Sequence, residues 1–208
     1  MQPRRTLTTT TAPATEPVTL TEAKLWAKVD SDDDDTLITA LIVAAREAAE
    51  NFTRRAFITQ TLKLTLDLCK SQYGNYLDDG VYDLPSSILY GELPNAIELP
   101  RPPIASITSV TTYDLNNTGT IYSSSNYSLI GTRLVLNRDA SWPSSMRPAG
   151  AVEIVYSAGY GSASSVPEAI KTAIKMHVQT MYDGRTVCEL PASCEQLLRQ
   201  FKVYGDLR

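Results

Sequence analysis

The chain has 208 residues and a mass of 22.8 kDa, enough for one large or two small domains. Hydrophobic residues make up 43% and charged residues 20% of it, a balance that excludes a disordered polymer, and no apolar run approaches the ~20 residues of a membrane span. A net charge of -4 and a pI near 5.1 argue against a protein built to grip nucleic-acid phosphates, which takes a basic face.

Residues 1–17 carry three prolines and six threonines and cannot bury enough apolar surface to offset the entropy of ordering. They read as an extended N-terminal arm able to order against a partner. After Arg4 and Arg5 come threonines rather than the apolar segment of a secretory signal. Thr19 and Glu22 then have the spacing of a capping box and open a short helix through Leu25, Trp26 and Val29. An acidic run, Asp30 to Asp35 interrupted by Ser31, precedes a long helix expected from Asp34 to Phe57. Its aspartates suit the positive end of the helix dipole. Leu37, Leu41, Ala44, Ala45, Ala48 and Phe52 mark its apolar stripe, with Arg46, Glu47, Glu50 and Arg54 largely elsewhere around the axis.

From Ile58 the period changes to two. Strands are expected at Ile58–Asp67, Ala96–Leu99, Ile104–Tyr113, Tyr127–Ile130, Arg133–Leu136 and Val152–Ser157, with a turn at Asn116–Gly119. Pro100, Pro102 and Pro103 remove backbone donors, so that stretch is an edge or a crossover. Ser165 and Glu168 repeat the capping-box spacing before a second amphipathic helix. Its one face is Ile170, Ala173, Ile174, His177 and Met181; Lys171, Lys175 and Gln179 form another. A last short helix is expected from Ser193 to Phe201. The predicted architecture is α+β: helices at both ends packed as a small bundle, a central antiparallel β region and a long inserted loop. The predicted divisions are an arm at 1–17, a domain at 18–183 with an insertion at about 70–95, and a helix and tail at 184–208.

Few residues suggest chemistry. His177 is the one histidine, and its place on an apolar helix face points to a packed or interface side chain. Cys69, Cys188 and Cys194 are too few and scattered for a disulfide framework and lack the close pairs of zinc sites, so a reducing compartment is the simpler reading. Asp30, Asp32 and Asp34 alternate as in an EF-hand loop, but Asp35 stands where glycine is required and Leu41 where a bidentate glutamate is required. Gly159 and Gly161 lie between strand and helix, where amides can cradle phosphate, yet the dinucleotide and Walker patterns both fail. A strand exit with unusual backbone angles explains them. No catalytic, metal or cofactor site is therefore expected.

The stronger signal is a segment rich in tyrosine. Tyr73, Tyr76, Tyr82 and Tyr90 share it with five acidic residues, and from Ser71 to Pro100 there is no Lys, Arg or His. Tyrosine-rich loops offer large contact area at modest entropic cost, so these four are candidate protein-interface residues, with a self-packed loop as the alternative.

The segments VTLTEAKLWAKV, LITALIVAAREAAENFTRRAF, LPRPPIASITSV, VEIVYSAGYG and VPEAIKTAIKMHV, in this order, resemble the head-tail connector proteins of tailed bacteriophages. The similarity covers about residues 18–183, and its most specific parts are Tyr156 to Gly161 with Val166-Pro167. The Thr-rich arm and the Tyr-rich insertion depart from the pattern. The resemblance implies a non-enzymatic virion protein, made in the host cytoplasm and placed at the head-tail interface. There it would form a homo-oligomeric ring of twelve copies between the portal protein and tail or neck proteins, with DNA passing through the lumen. It also implies portal docking through the C-terminal segment, with Arg199, Phe201, Lys202, Tyr204 and Arg208 as anchor. Two alternatives stand beside it: a tail-completion or neck protein one layer further from the portal, and a cation-dependent cytoplasmic enzyme.

Overall fold

The computed structural model describes residues 5–68, 93–185 and 189–204. Thr19 opens α1 (Leu20–Ala27) as its spacing with Glu22 predicts. The Glu22 N–H donates to the Thr19 hydroxyl at 3.2 Å, and the Thr19 N–H donates back to the Glu22 carboxylate at 2.8 Å. These bonds from Thr19 hold the Glu22 carboxyl below its ordinary value. The box therefore contributes stability above the unfolded glutamate pKa and loses it as pH falls through the lowered value. Thr19→Ala is expected to cost about 1 kcal/mol in urea unfolding, with an unchanged urea midpoint as the contrary result.

The second helix, α2 (Asp35–Thr53), is shorter than predicted. It stops because Arg54 turns left-handed (φ 57°) and Ala56 gives its N–H to the Pro102 carbonyl rather than to the helix. Its buried face is also rotated by about one residue, or roughly 100°. Ile38, Ile42, Ala45, Ala49 and Thr53 are buried together with Arg46 and Glu50, whereas Leu37 is exposed. A stripe drawn through apolar residues alone misses a buried pair of opposite charges.

The helices α3 (Glu168–Gly184) and α4 (Ala192–Leu198) follow the predicted order, and a 3-10 turn at Arg199–Phe201 extends α4. Every residue named for the apolar face of α3 is buried, His177 among them. The predicted Ser165–Glu168 capping box does not form. Pro167 is the N-cap and keeps Val166 out of helical geometry (ψ 129°), and Glu168 pairs instead with Lys171 at 2.6 Å. Among the described residues the four α-helices pack around one core that includes Ile38, Ile42, Phe57, Ile170, Ile174, Val178 and Leu198.

The strands are β1 (Arg5–Thr11), β2 (Gln60–Leu66), β3 (Ala96–Glu98), β4 (Ile104–Tyr113), β5 (Gly119–Ile121), β6 (Tyr127–Ile130), β7 (Arg133–Leu136) and β8 (Val152–Ala158). They form a five-stranded antiparallel sheet in the order β1-β2-β8-β4-β5 and a three-stranded one in the order β3-β7-β6. In β2 and β8 every second residue is buried. Leu62, Leu64, Leu66, Ile154 and Tyr156 thereby join Ile97, Leu99 and Leu134 in a second core. Each such large apolar side chain contributes about 1.5–3 kcal/mol. The fold is α+β with an antiparallel β region between helices, as predicted.

Two strands were not predicted. The three-residue β5 starts at Gly119, the last residue of the predicted turn, and runs on through Thr120 and Ile121, for which no element was predicted. From the arm, residues 5–11 form β1, because the edge of β2 supplies the backbone partners that its threonines could not replace by burial, and Leu7 packs against the core. The proline stretch is a crossover: residues 99–103 carry the chain from the smaller sheet to the larger.

Candidate functional site

The helical core and the sheet core meet at a waist where three backbone segments touch. Ala56 N–H donates to Pro102 O at 3.3 Å, Gly159 N–H to Pro103 O at 2.9 Å, Tyr160 N–H to Phe57 O at 3.0 Å and Thr59 N–H to Gly161 O at 3.2 Å. Gly159 (φ 132°) and Gly161 (φ 114°) both take the positive angles that a strand exit needs. The Tyr156 hydroxyl donates to Pro100 O at 2.7 Å, and burial pushes its pKa up.

Glu50, 2% exposed, closes the waist. Its carboxylate accepts from Phe57 N–H at 2.7 Å, Gln60 Nε2 at 3.1 Å and Arg46 Nη1 at 2.9 Å, and Arg101 Nη1 lies 3.8 Å away. Arg46 in turn donates from Nε to Glu16 at 2.7 Å, and Arg101 from Nη2 to Asn51 at 2.6 Å. One carboxylate thus joins α2, β2 and the proline crossover, and through Arg46 reaches the end of the arm. Burial raises the Glu50 pKa, against the pull of the Phe57 N–H and the two arginines. For Arg46 burial opposes the charge, but Glu50 and Glu16 outweigh it and its pKa is raised. The network was not read from sequence, although the i, i+4 spacing of Arg46 and Glu50 was visible.

The acidic run is likewise engaged. Lys24 Nζ pairs with Asp35 at 2.7 Å and with Asp32, and the Tyr182 hydroxyl donates to Asp34 at 2.6 Å. Among the described residues no group of three or more His, Cys, Asp or Glu side chains is arranged to hold a metal ion. Likewise no helix among them is long and apolar enough to cross a membrane. Cys194 is buried, and Cys69 and Cys188 lie outside the described residues.

The C-terminal candidates divide. Phe201 packs on the helical core and its carbonyl accepts from Arg55 Nε, while Lys202 Nζ sits 4.3 Å from the centre of the Phe52 ring. Val203 N–H donates to Thr53 O at 3.0 Å. Arg199 and Tyr204 are exposed, the latter by 79%. The structure therefore brings Phe201 and Lys202 to the C-terminal end of α2 and leaves Arg199 and Tyr204 facing solvent; Arg208 lies outside the described residues. So do Tyr73, Tyr76, Tyr82 and Tyr90.

A groove of about 390 Å³ flanks β5, lined by Thr112, Asp114, Ile121, Tyr122, Pro143 and Met146 among others. The Tyr122 ring stacks on Tyr127 and on Trp142, with centroids 6.3 and 5.1 Å apart, which fixes one wall.

The chain belongs to the phage head-tail connector family: the model described as Phage gp6-like head-tail connector protein matches residues 17–137. The match runs from the end of the arm to just past β7, so Tyr156–Gly161 and Val166-Pro167, where the resemblance was most specific, lie beyond it. Membership places the chain among the structural neck and connector proteins of phage-type virions. Among solved structures, a chain of the neck of an empty gene transfer agent (GTA) particle, computed with C6 symmetry, aligns with TM-score 0.71 at 20% identity. A chain from the virion of a native GTA particle aligns with TM-score 0.68 at 18%. A third, from the neck of a native GTA particle computed with C12 symmetry, aligns with TM-score 0.66 at 21%. In each case 97% of both chains is covered, which shows a shared fold over nearly the whole length. No curated protein matches.

Proposed function

We propose that this chain is the ring adaptor between portal and tail: identical copies form a closed ring beneath the portal, extend the DNA channel and present the surface to which the tail attaches. Family membership carries this reading. The whole-chain likeness to neck proteins solved with C6 and C12 symmetry supports it. A net charge of -4 suits a channel wall along which DNA must slide, because like charge discourages sticking. The protein acts by shape and contact, with no reacting group of its own.

Portal docking is assigned to the C-terminal segment. Arg199 and Tyr204 have the exposure to touch a partner, whereas Phe201 and Lys202 position the segment by holding it against α2. The Tyr73, Tyr76, Tyr82 and Tyr90 segment is assigned to contacts with a neighbouring copy or the tail side. Purified protein is expected to co-sediment with portal rings in the absence of any tail component. Arg199→Ala combined with Tyr204→Ala should weaken that binding at least about tenfold, the scale of a single interface hot spot. Undiminished binding by the double variant would reject this docking site, and binding that needs a tail component would move the protein one layer outward.

A further inference from the structure

The five-stranded sheet has two open edges among the described residues, β1 and β5. Soluble proteins guard such edges with lysine, proline or inward-pointing charges, since an unpaired row of N–H and C=O groups templates another strand. Neither strand carries lysine or proline; β1 has a charge only at its first residue, Arg5, and a bulge between Thr9 and Thr11, and the three-residue β5 has no charge at all. From Leu115 to Thr132 there is no charged residue, and from Thr6 to Thr15 there is none.

The backbone at β5 is set up to pair. Tyr122 N–H donates inward to Val110 O at 2.8 Å. Hydrogen-bonding direction alternates along an antiparallel strand, so the N–H and C=O of Ile121 point away from β4, towards the open edge. The Ile121 side chain, 76% exposed, is an apolar β-branched group on that edge. The groove beside it offers a place for side chains of an added strand.

Topology indicates what covers the edge. All four pairings in the sheet are antiparallel, so over five strands the first and last run in the same direction. The register Thr6, Thr65, Glu153, Thr111, Ile121 forms one row across the sheet, which puts Thr6 and Ile121 on the same face. A rotation that also takes up the twist of the sheet, roughly 20–25° per strand, can carry β1 of one copy beside β5 of another without inverting either. That is a heterologous contact, the kind that closes into a ring. We propose that β5 of each copy pairs with β1 of its neighbour, so that the sheet continues from subunit to subunit. The proposal rests on the ring reading above and adds which edges make the ring.

The test is ring formation on purified portal rings, counted by electron microscopy, with circular dichroism and urea midpoints confirming that each variant is folded. Wild-type protein is expected to add a ring, and failure to do so would sink the ring reading and this contact together. If wild type succeeds, Ile121→Lys should lower ring yield about tenfold, because a lysine on an edge strand opposes pairing. The partner substitution Thr6→Lys should do the same from the other edge, which keeps the test intact if either variant folds poorly. Combining Ile121→Lys with Thr6→Glu should restore the yield to within about twofold, since the two charges then meet across the interface. Undisturbed rings in both single variants would overturn the proposal while leaving the ring reading in place. So would failure of the double variant to recover, because a contact of β5 with its own equivalent gains nothing from Thr6→Glu.

Discussion

Arg46→Ala is expected to destabilise the fold by about 3–5 kcal/mol, the cost of leaving a buried charge without its partner. Glu50, 2% exposed in the intact protein, would lose its Arg46 ion pair and keep Arg101 at 3.8 Å as the nearest cation. Glu50→Gln should cost less than Arg46→Ala, because an amide oxygen can still accept from the Phe57 N–H. Replacing both with apolar residues should not be neutral, since it leaves that buried N–H unpaired at about 1–3 kcal/mol. Urea unfolding of the three variants checks the order. Equal, small losses would show that the waist does not depend on this carboxylate. The pH dependence adds a sign. Burial raises Glu50 from its ordinary 4.5, so its contribution to stability is fully present below that value and is lost as pH rises through the raised folded value. Glu50→Gln should therefore flatten the stability profile over that interval.

Gly159→Ala is expected to cost roughly 2–6 kcal/mol, combining backbone strain at positive φ with overpacking. A Cβ there would stand 2.5 Å from the carbonyl carbon and oxygen of Ile58 and 2.7 Å from Thr59 N, all backbone atoms that cannot swing aside. Gly161→Ala is the control. Its φ of 114° imposes strain, but the nearest atom is Ser165 Oγ at 3.6 Å, so about 1–3 kcal/mol is expected. Equal urea midpoints for the two variants would mean that the contact at the waist yields.

These two positions also show what the sequence could and could not reveal. The glycines were legible as a strand exit because each failed the phosphate-binding patterns and lay where a strand ends. The close approach of Gly159 to Ile58 was not, since it depends on a segment a hundred residues away. Capping at Thr19 was legible because it is local; capping at Ser165 failed because Pro167 constrains the same turn. The alternation of Leu62, Leu64 and Leu66 gave β2 directly. In α2 the apolar stripe lay about one residue off, because Arg46 and Glu50 become buried only once Glu16, Phe57, Gln60 and Arg101 surround them. β1 escaped notice for a related reason, as its pairing comes from the backbone of β2, with Leu7 its one apolar side chain on the core. At the candidate interfaces, the uncharged run around β5 is visible in the sequence, but only the sheet order among the described residues turns it into an open edge.

Electron microscopy of the neck in particles that carry this chain with a small density tag decides whether it forms the ring. Tagged copies are expected in a closed ring directly beneath the portal, surrounding the channel, and particles lacking the chain should have no ring there and no tail attached. Tag density away from the neck, a single copy in place of a ring, or tailed particles without the protein would contradict it.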